Sequence, residues 1–249
     1  DIMALLANYM DFFESFPLKK VKSVEKQIKK LYNDFKEAAK HVKIFLDNVE
    51  ETLTEINLVS QIPGSELLNS NYVSNKIREE VLDNANYQIN YTFVLFERQI
   101  NIHIISLEVH PPNMKKIRED IRLIYLWLYV ASLYANKKCG KDNITIYIYK
   151  TDLPRELPEN GSTTIGPDNV NGGLSDICRK DSEIAIFRKE EWIKVLIHES
   201  FHNLGLDFSA MNITREISYL KKVFKVPSDM LFFEAYTESW AEIINVSLL

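Results

Sequence analysis

Residues 195–205 read VLIHESFHNLG, and the spacing inside HESFH is the most chemically specific feature of the chain. Histidines at i and i+4 project from one face of a helix, so His198 and His202 can reach a single metal ion. Glu199 follows the first of them. There its carboxylate can take a proton from water on the metal and later deliver it to a leaving amine. Nitrogen and oxygen donors in a tetrahedral arrangement suit Zn2+, so one zinc per chain is the expected cofactor. The other histidines read differently: His41 lies in a heptad stripe, His103 in a strand pattern and His110 before Pro111-Pro112, and all three are expected in packing or surface roles.

A catalytic zinc takes three protein ligands and leaves the fourth position to water. The extended pattern HExxHxxGxxH holds through Gly205 but has Phe208 where the third histidine would stand. Asp207 is one residue early for that position. It is a minor alternative ligand whose ordinary role is to end the helix. PSDMLFFEAYTESWAEIIN, residues 227–245, offers a better source. Pro227 and Ser228 predict a helix start, and Glu234, Glu238 and Glu242 recur every four residues after it. Neighbours in that series share a face, so one glutamate can bind the metal while the next holds the free imidazole nitrogen of a ligand histidine. Both the Glu234/Glu238 and the Glu238/Glu242 registers meet this condition. Phe232, Phe233, Tyr236, Trp240, Ile243 and Ile244 around them predict a largely buried helix, in which unpaired carboxylates are costly.

These residues need a scaffold, and hydrophobic periodicity outlines one. From Val21 to Val49 apolar residues step alternately by three and four, and Ile56 falls a full heptad further on, which predicts one long amphipathic helix from Val21 to Ile56. It is expected to pack within the chain, with self-association through the stripe as the alternative. QIPGSELLNSN, 61–71, marks a boundary between an N-terminal helical element, 1–60, and a catalytic domain, 61–249. A short helix near 73–84 precedes INYTFVLFERQINIHIISLEV, 89–109, which reads as a hairpin. Pro111, Pro112 and Asn113 open a helix to about Asn136, ITIYIYK at 144–150 alternates as a strand, and EIAIF at 183–187 is another. RKEEWIKVLIHESFHNLG then starts with acidic residues in its first turn and stops at Gly205, as a helix does.

Composition excludes several functions. A net charge of -5 gives no electrostatic reason to expect nucleic acid as a partner. The apolar run LIYLWLYVASLY, 123–134, falls well short of the roughly 20 residues of a membrane span and reads as a core helix. The first residues, DIMALLANYMDFFESF, lack the basic n-region and cleavage site of a signal peptide. Cys139 and Cys178 are too few for a disulfide framework and read as ordinary thiols.

With HESFH completed by a later FFEAYTESW, residues 87–249 resemble the gluzincin class of zinc metallopeptidases. In that class a glutamate on a following helix is the third ligand, with a small residue after it and an acid four positions on. The resemblance implies Glu234 as ligand, followed by Ala235, and Glu238 as the residue holding a ligand histidine; Glu238-Ser-Trp-Ala-Glu242 keeps the rival register. It implies an α+β zincin-like domain, a mixed sheet with an active-site helix, here preceded by the long N-terminal helix. It also implies an edge strand that binds substrate backbone, for which Asn171, Gly172 and Gly173 in NVNGGLSD are the candidates, a simple Gly-Gly turn being the alternative. The chain is similar as well to uncharacterised metallopeptidases of large DNA viruses. The expected activity is hydrolysis of a peptide or protein substrate, with Glu199 as general base. Arg215, Tyr219 and Tyr236 lie near the motifs, but nothing selects one as oxyanion donor. A zincin-like scaffold protein without activity and a hydrolase of non-peptide amides are the alternatives.

Overall fold

The computed structural model describes residues 22–156, 165–225 and 229–248. The chain divides into two units, Asp1–Glu37 and Ala38–Leu249. The described part of the first is the beginning of helix α1 (Lys22–Asn48), where Lys30 and Asp34 pair across one turn at 3.5 Å. In the second unit the remainder of α1 buries Ala38 and Val42, and Phe45 stacks on Tyr125 at 4.1 Å.

The heptad reading carried α1 to Ile56, and the structure corrects it. The helix stops at Asn48, whose side chain donates to the Ile44 carbonyl at 2.7 Å. Residues Glu50–Glu55 then form strand β1, paired antiparallel with β2 (Tyr87–Leu95) from Glu50↔Thr92 to Glu55↔Tyr87. Val49 and Ile56 fall on heptad steps, but between them stand three glutamates, two threonines and a single leucine off the stripe, so two further helical turns would bury little apolar surface and the segment pairs with β2 instead.

Between β1 and β2 lies helix α2 (Asn75–Asn84). β2 and β3 (Arg98–Ser106) form the expected hairpin, with Phe96 and Glu97 at positive φ in its turn. Helix α3 (Met114–Tyr134) follows, capped by Asn113, whose side chain accepts from the backbone N–H groups of Lys115 and Lys116 at 3.1 and 3.4 Å. Then come β4 (Asn143–Thr151), the single turn α4 (Pro167–Val170), β5 (Gly173–Ser175) and β6 (Asp181–Arg188). Helices α5 (Trp192–Leu204), α6 (Thr214–Phe224) and α7 (Phe232–Leu248) complete the unit. The helix start expected at Pro227 and Ser228 lies outside the described residues. Among the described residues no helix is long and apolar enough to cross a membrane.

The architecture is α+β. Six strands form one mixed sheet in the order β1-β2-β3-β4-β6-β5, with β3, β4 and β6 parallel and the rest antiparallel. The three parallel strands are buried at most positions because both their faces are covered. On one face Tyr147, Tyr149, Ala185 and Phe187 pack with Ile62, Leu68, Val73, Ile77 and Val81 from the segment before β2. The other face carries Ile104, Ile148 and Ile186, which sit in register with Gly173 of β5, and Gly173 lies against Val195 of α5. The helix with the HESFH sequence therefore lies across the sheet near its β5 edge. Trp127 of α3 stacks on Phe201 at 5.7 Å and fixes α5 from its far side.

The two cysteines are not the ordinary thiols expected. Cys139, after α3, and Cys178, in the turn before β6, form a disulfide with a Cα–Cα distance of 4.2 Å. Their separation of 39 residues conceals this, but β4 and β6 run parallel side by side, so the turns that lead into them are neighbours. Closing a loop of this size restricts the unfolded chain by about 3–4 kcal/mol. Reduced protein is accordingly expected to unfold at a lower denaturant concentration by that free energy. Equilibrium urea unfolding with and without reductant measures it, and coincident midpoints would contradict the bridge.

Candidate metal centre

α5 is buried along nearly its whole length, with Ile193, Leu196, Ile197, Phe201 and Leu204 in the core. Its acidic residues precede the first turn instead of occupying it: Glu191 stands just before the helix at φ 53°. Asn203 pins the helix to the β5–β6 turn, donating to the Asp176 carbonyl at 3.1 Å and accepting from the Ser182 hydroxyl at 3.1 Å. At the other end Gly205 takes φ +62°. Its N–H donates to the His202 carbonyl and that of Leu206 to the Phe201 carbonyl, at 3.3 and 2.8 Å, the paired closure of a Schellman motif. This cap turns the chain back along the helix, which brings Asp207 to His202.

The structure gathers His198, His202 and Glu234. The two Nε2 atoms are 3.2 Å apart, and Glu234 Oε2 lies 3.3 Å from each. A tetrahedral ion with bonds of about 2.0–2.1 Å holds its donors about 3.3 Å apart, so these three atoms fit one face of a zinc coordination sphere with the fourth position open. The Nδ1 atoms face away from that centre. Nδ1 of His198 meets Glu238 Oε2 at 2.9 Å and Nδ1 of His202 meets Asp207 Oδ2 at 2.6 Å. Each imidazole is thus held by a carboxylate on its outer nitrogen, which fixes its orientation. Asp207, weighed in the sequence as a minor ligand, sits on the far side of His202. Glu238 meets the outer nitrogen of His198, and Glu242 meets Lys194 at 3.2 Å, so the rival register does not bring its two glutamates to the centre.

The charges at the centre are strongly coupled. Burial by itself lowers the pKa of His202, but the Glu234 and Asp207 carboxylates outweigh it and hold it at about 9. Hydrogen bonds from His198 and His202 pull Glu234 down to about 2. Protons on the imidazoles and a cation between them are alternative ways to compensate the same carboxylates. Burial raises the pKa of Glu199, against the pull of the histidines and of the Ser175 hydroxyl, and so makes it a stronger base.

Glu199 lies beside the triad under β5. Strand alternation puts Gly173 and Ser175 on the α5 face and Leu174 in the opposite core. Ser175 Oγ then donates to Glu199 Oε2 at 2.8 Å. A Cβ on Gly173 would stand 2.8 Å from the Ala185 carbonyl oxygen and 3.1 Å from Glu199 Cγ, and one on Gly172 3.0 Å from Val195. Gly173 therefore leaves no room for a side chain on the helix side, while one at residue 172 would need Val195 to give by a few tenths of an ångström. The Gly172 carbonyl and the Asp176 N–H bond to β6, so the backbone groups of Gly173 and Ser175 between them point to the open edge of the sheet. Asn171 lines the same cleft but donates its side chain to the Tyr72 carbonyl at 2.9 Å. Buried Arg188 holds this rim in shape, donating to the carbonyls of Leu153, Pro154, Asp168 and Asn171. Ser175, Arg188 and Lys194 were not legible as site residues, since each has a type and spacing common on any strand or helix.

No family model, curated protein or solved structure matches the chain. The geometry alone therefore carries the functional argument.

α7 differs from expectation. Only Thr237, Ala241 and Ile244 are buried, a single stripe facing α5, and the helix is half-exposed instead of largely buried. Its aromatic residues form a rim: Tyr236 packs on Phe208 at 4.6 Å and Phe233 meets the His202 ring at 6.0 Å. Tyr236 therefore belongs to this packing, while Tyr219 on α6 is exposed. The three other histidines keep to their expected settings: His41 stacks on Tyr129, His103 on Tyr147, and no metal-type cluster among the described residues includes them or His110.

Proposed function

We propose that this chain is a zinc-dependent peptidase with a zincin-like catalytic domain. The observation that carries the reading is the near-equilateral set of His198 Nε2, His202 Nε2 and Glu234 Oε2, with half-buried Glu199 next to it on the same helix. His198, His202 and Glu234 would hold the ion. A bound zinc supplies Lewis acidity, polarising a carbonyl and lowering the pKa of water near it. Glu199 accepts the proton of the attacking water on its carboxylate and passes it to the departing amine, with Ser175 holding one oxygen of that carboxylate in place. The open edge of β5 offers unpaired N–H and C=O groups that an extended peptide can pair with. That edge favours a peptide over a small non-peptide amide. Glu199 favours an enzyme over a scaffold, because a purely structural zinc has no use for a base.

Purified protein is expected to carry about one zinc per chain, the stoichiometry of a mononuclear site. It should cleave unstructured polypeptides, lose that activity to a chelator and regain it with zinc. Elemental analysis and mass-spectrometric detection of cleavage products test both halves. Failure to take up zinc when it is supplied refutes the metal centre, and full zinc occupancy without cleavage of any peptide mixture refutes the peptidase.

A further inference from the structure

We propose that Lys194 is a positioning residue of the metal centre, fixing the Glu238 carboxylate that orients His198. The inference rests on the metal-site reading above. Lys194 is 6% exposed on α5, one turn before His198. Its Nζ lies 2.9 Å from Glu238 Oε1, 3.2 Å from Glu242 Oε1 and 3.3 Å from Glu191 Oε2. The three donors of the ammonium thus meet three carboxylates, two from α7 and one from the residue just ahead of α5. Glu238 divides its oxygens, with Oε1 on Lys194 and Oε2 on His198 Nδ1. A carboxylate held at both oxygens cannot rotate, and the imidazole it holds cannot turn Nε2 away from the centre.

Burying a lysine is costly, and an apolar side chain at this place on α5 would extend the core without that cost. Glu238 gives the ammonium a function that packing does not. The Glu238 side chain is 46% exposed. Without a cation beneath it, the glutamate can swing to solvent and release His198. Glu191 and Glu242 complete the hydrogen bonding of the ammonium and hold it in line with Glu238. Their removal is expected to matter less than that of Lys194.

Zinc affinity, measured by competition with a chromophoric chelator on protein shown to be folded by circular dichroism, tests the inference. Lys194→Met should weaken zinc by about 10-fold, the low end of the range for residues behind a ligand. Lys194→Arg should recover most of it, since a guanidinium keeps the charge and the donors. Adding Lys194→Met to Glu238→Ala should cause no further loss, because both act through one carboxylate. Lys194→Gln, which keeps a donor without the charge, is read the same way if Lys194→Met does not fold. Unchanged affinity in Lys194→Met or Lys194→Gln overturns the inference, as do losses that multiply in the double variant. Absence of zinc binding in the unaltered chain instead overturns the metal centre itself, and the role of Lys194 with it.

Discussion

Glu199→Gln is expected to keep one zinc per chain while losing about 10²- to 10⁴-fold in peptide hydrolysis, the usual contribution of a general base. The substitution preserves shape. Ser175 Oγ, 2.8 Å from Glu199 Oε2, can donate equally well to an amide oxygen, and the triad of donors does not include residue 199. What is lost is the ability to accept a proton, in a position where burial raises the carboxyl pKa and strengthens the base. Zinc content measured beside kcat separates this from damage to the site. Hydrolysis undiminished in the variant would refute the assigned role of Glu199, and loss of zinc along with activity would mean that its carboxylate helps to hold the ion.

The second large effect concerns Glu234. Glu234→Ala removes the oxygen that lies 3.3 Å from both Nε2 atoms and should reduce zinc affinity more than any other change on α7. Glu238→Ala should cost about 10- to 100-fold, through a His198 ring no longer held at Nδ1. Glu242→Ala should change affinity least, because Glu242 touches the centre only through Lys194. Titrating the three single variants against a chelator of known affinity gives the order. If Glu238→Ala proves the most damaging, the two glutamates have exchanged roles.

The sequence made some of this site readable because its elements are local. HESFH fixes the face of one helix by its own spacing, and Gly205 ends that helix through its own backbone. The pairing of that helix with the glutamate series on α7 was reached through the every-four spacing, which outlasts an error in the surroundings: α7 is half-exposed, not largely buried, yet Glu234 and Glu238 still face α5. Features that depend on distant segments could not be read. β1 is a strand because β2 offers it an edge, and Val49 and Ile56 on either side of it stand a full heptad apart, which hides the break in the helix. The Cys139–Cys178 bridge depends on the parallel pairing of β4 with β6. Lys194 has the spacing of any lysine on a helix, and only the approach of α7 surrounds its ammonium with carboxylates. Asp207 stands one residue before the third-histidine position of HExxHxxGxxH, and the Schellman turn at Gly205 is what delivers it to His202.

The contact between Gly173 and α5 sets a tolerance for the whole centre. Only the side chains of α5 stand between the bare strand and the helix there: the space a Cβ would need is closed to 2.9 Å by Val195 Cγ1 and to 3.1 Å by Glu199 Cγ. The open edge of β5 and the Glu199 carboxylate are consequently parts of one gauge, whose spacing is set by a strand without a side chain lying directly on Val195 and Glu199. A polypeptide substrate of the proposed kind, seated on that edge, would have its reach to the carboxylate measured by the gauge. One added methyl group at residue 173 forces the gauge open, and where reacting atoms must meet within a fraction of an ångström, a displacement of about 1 Å can cost about 10²-fold in rate.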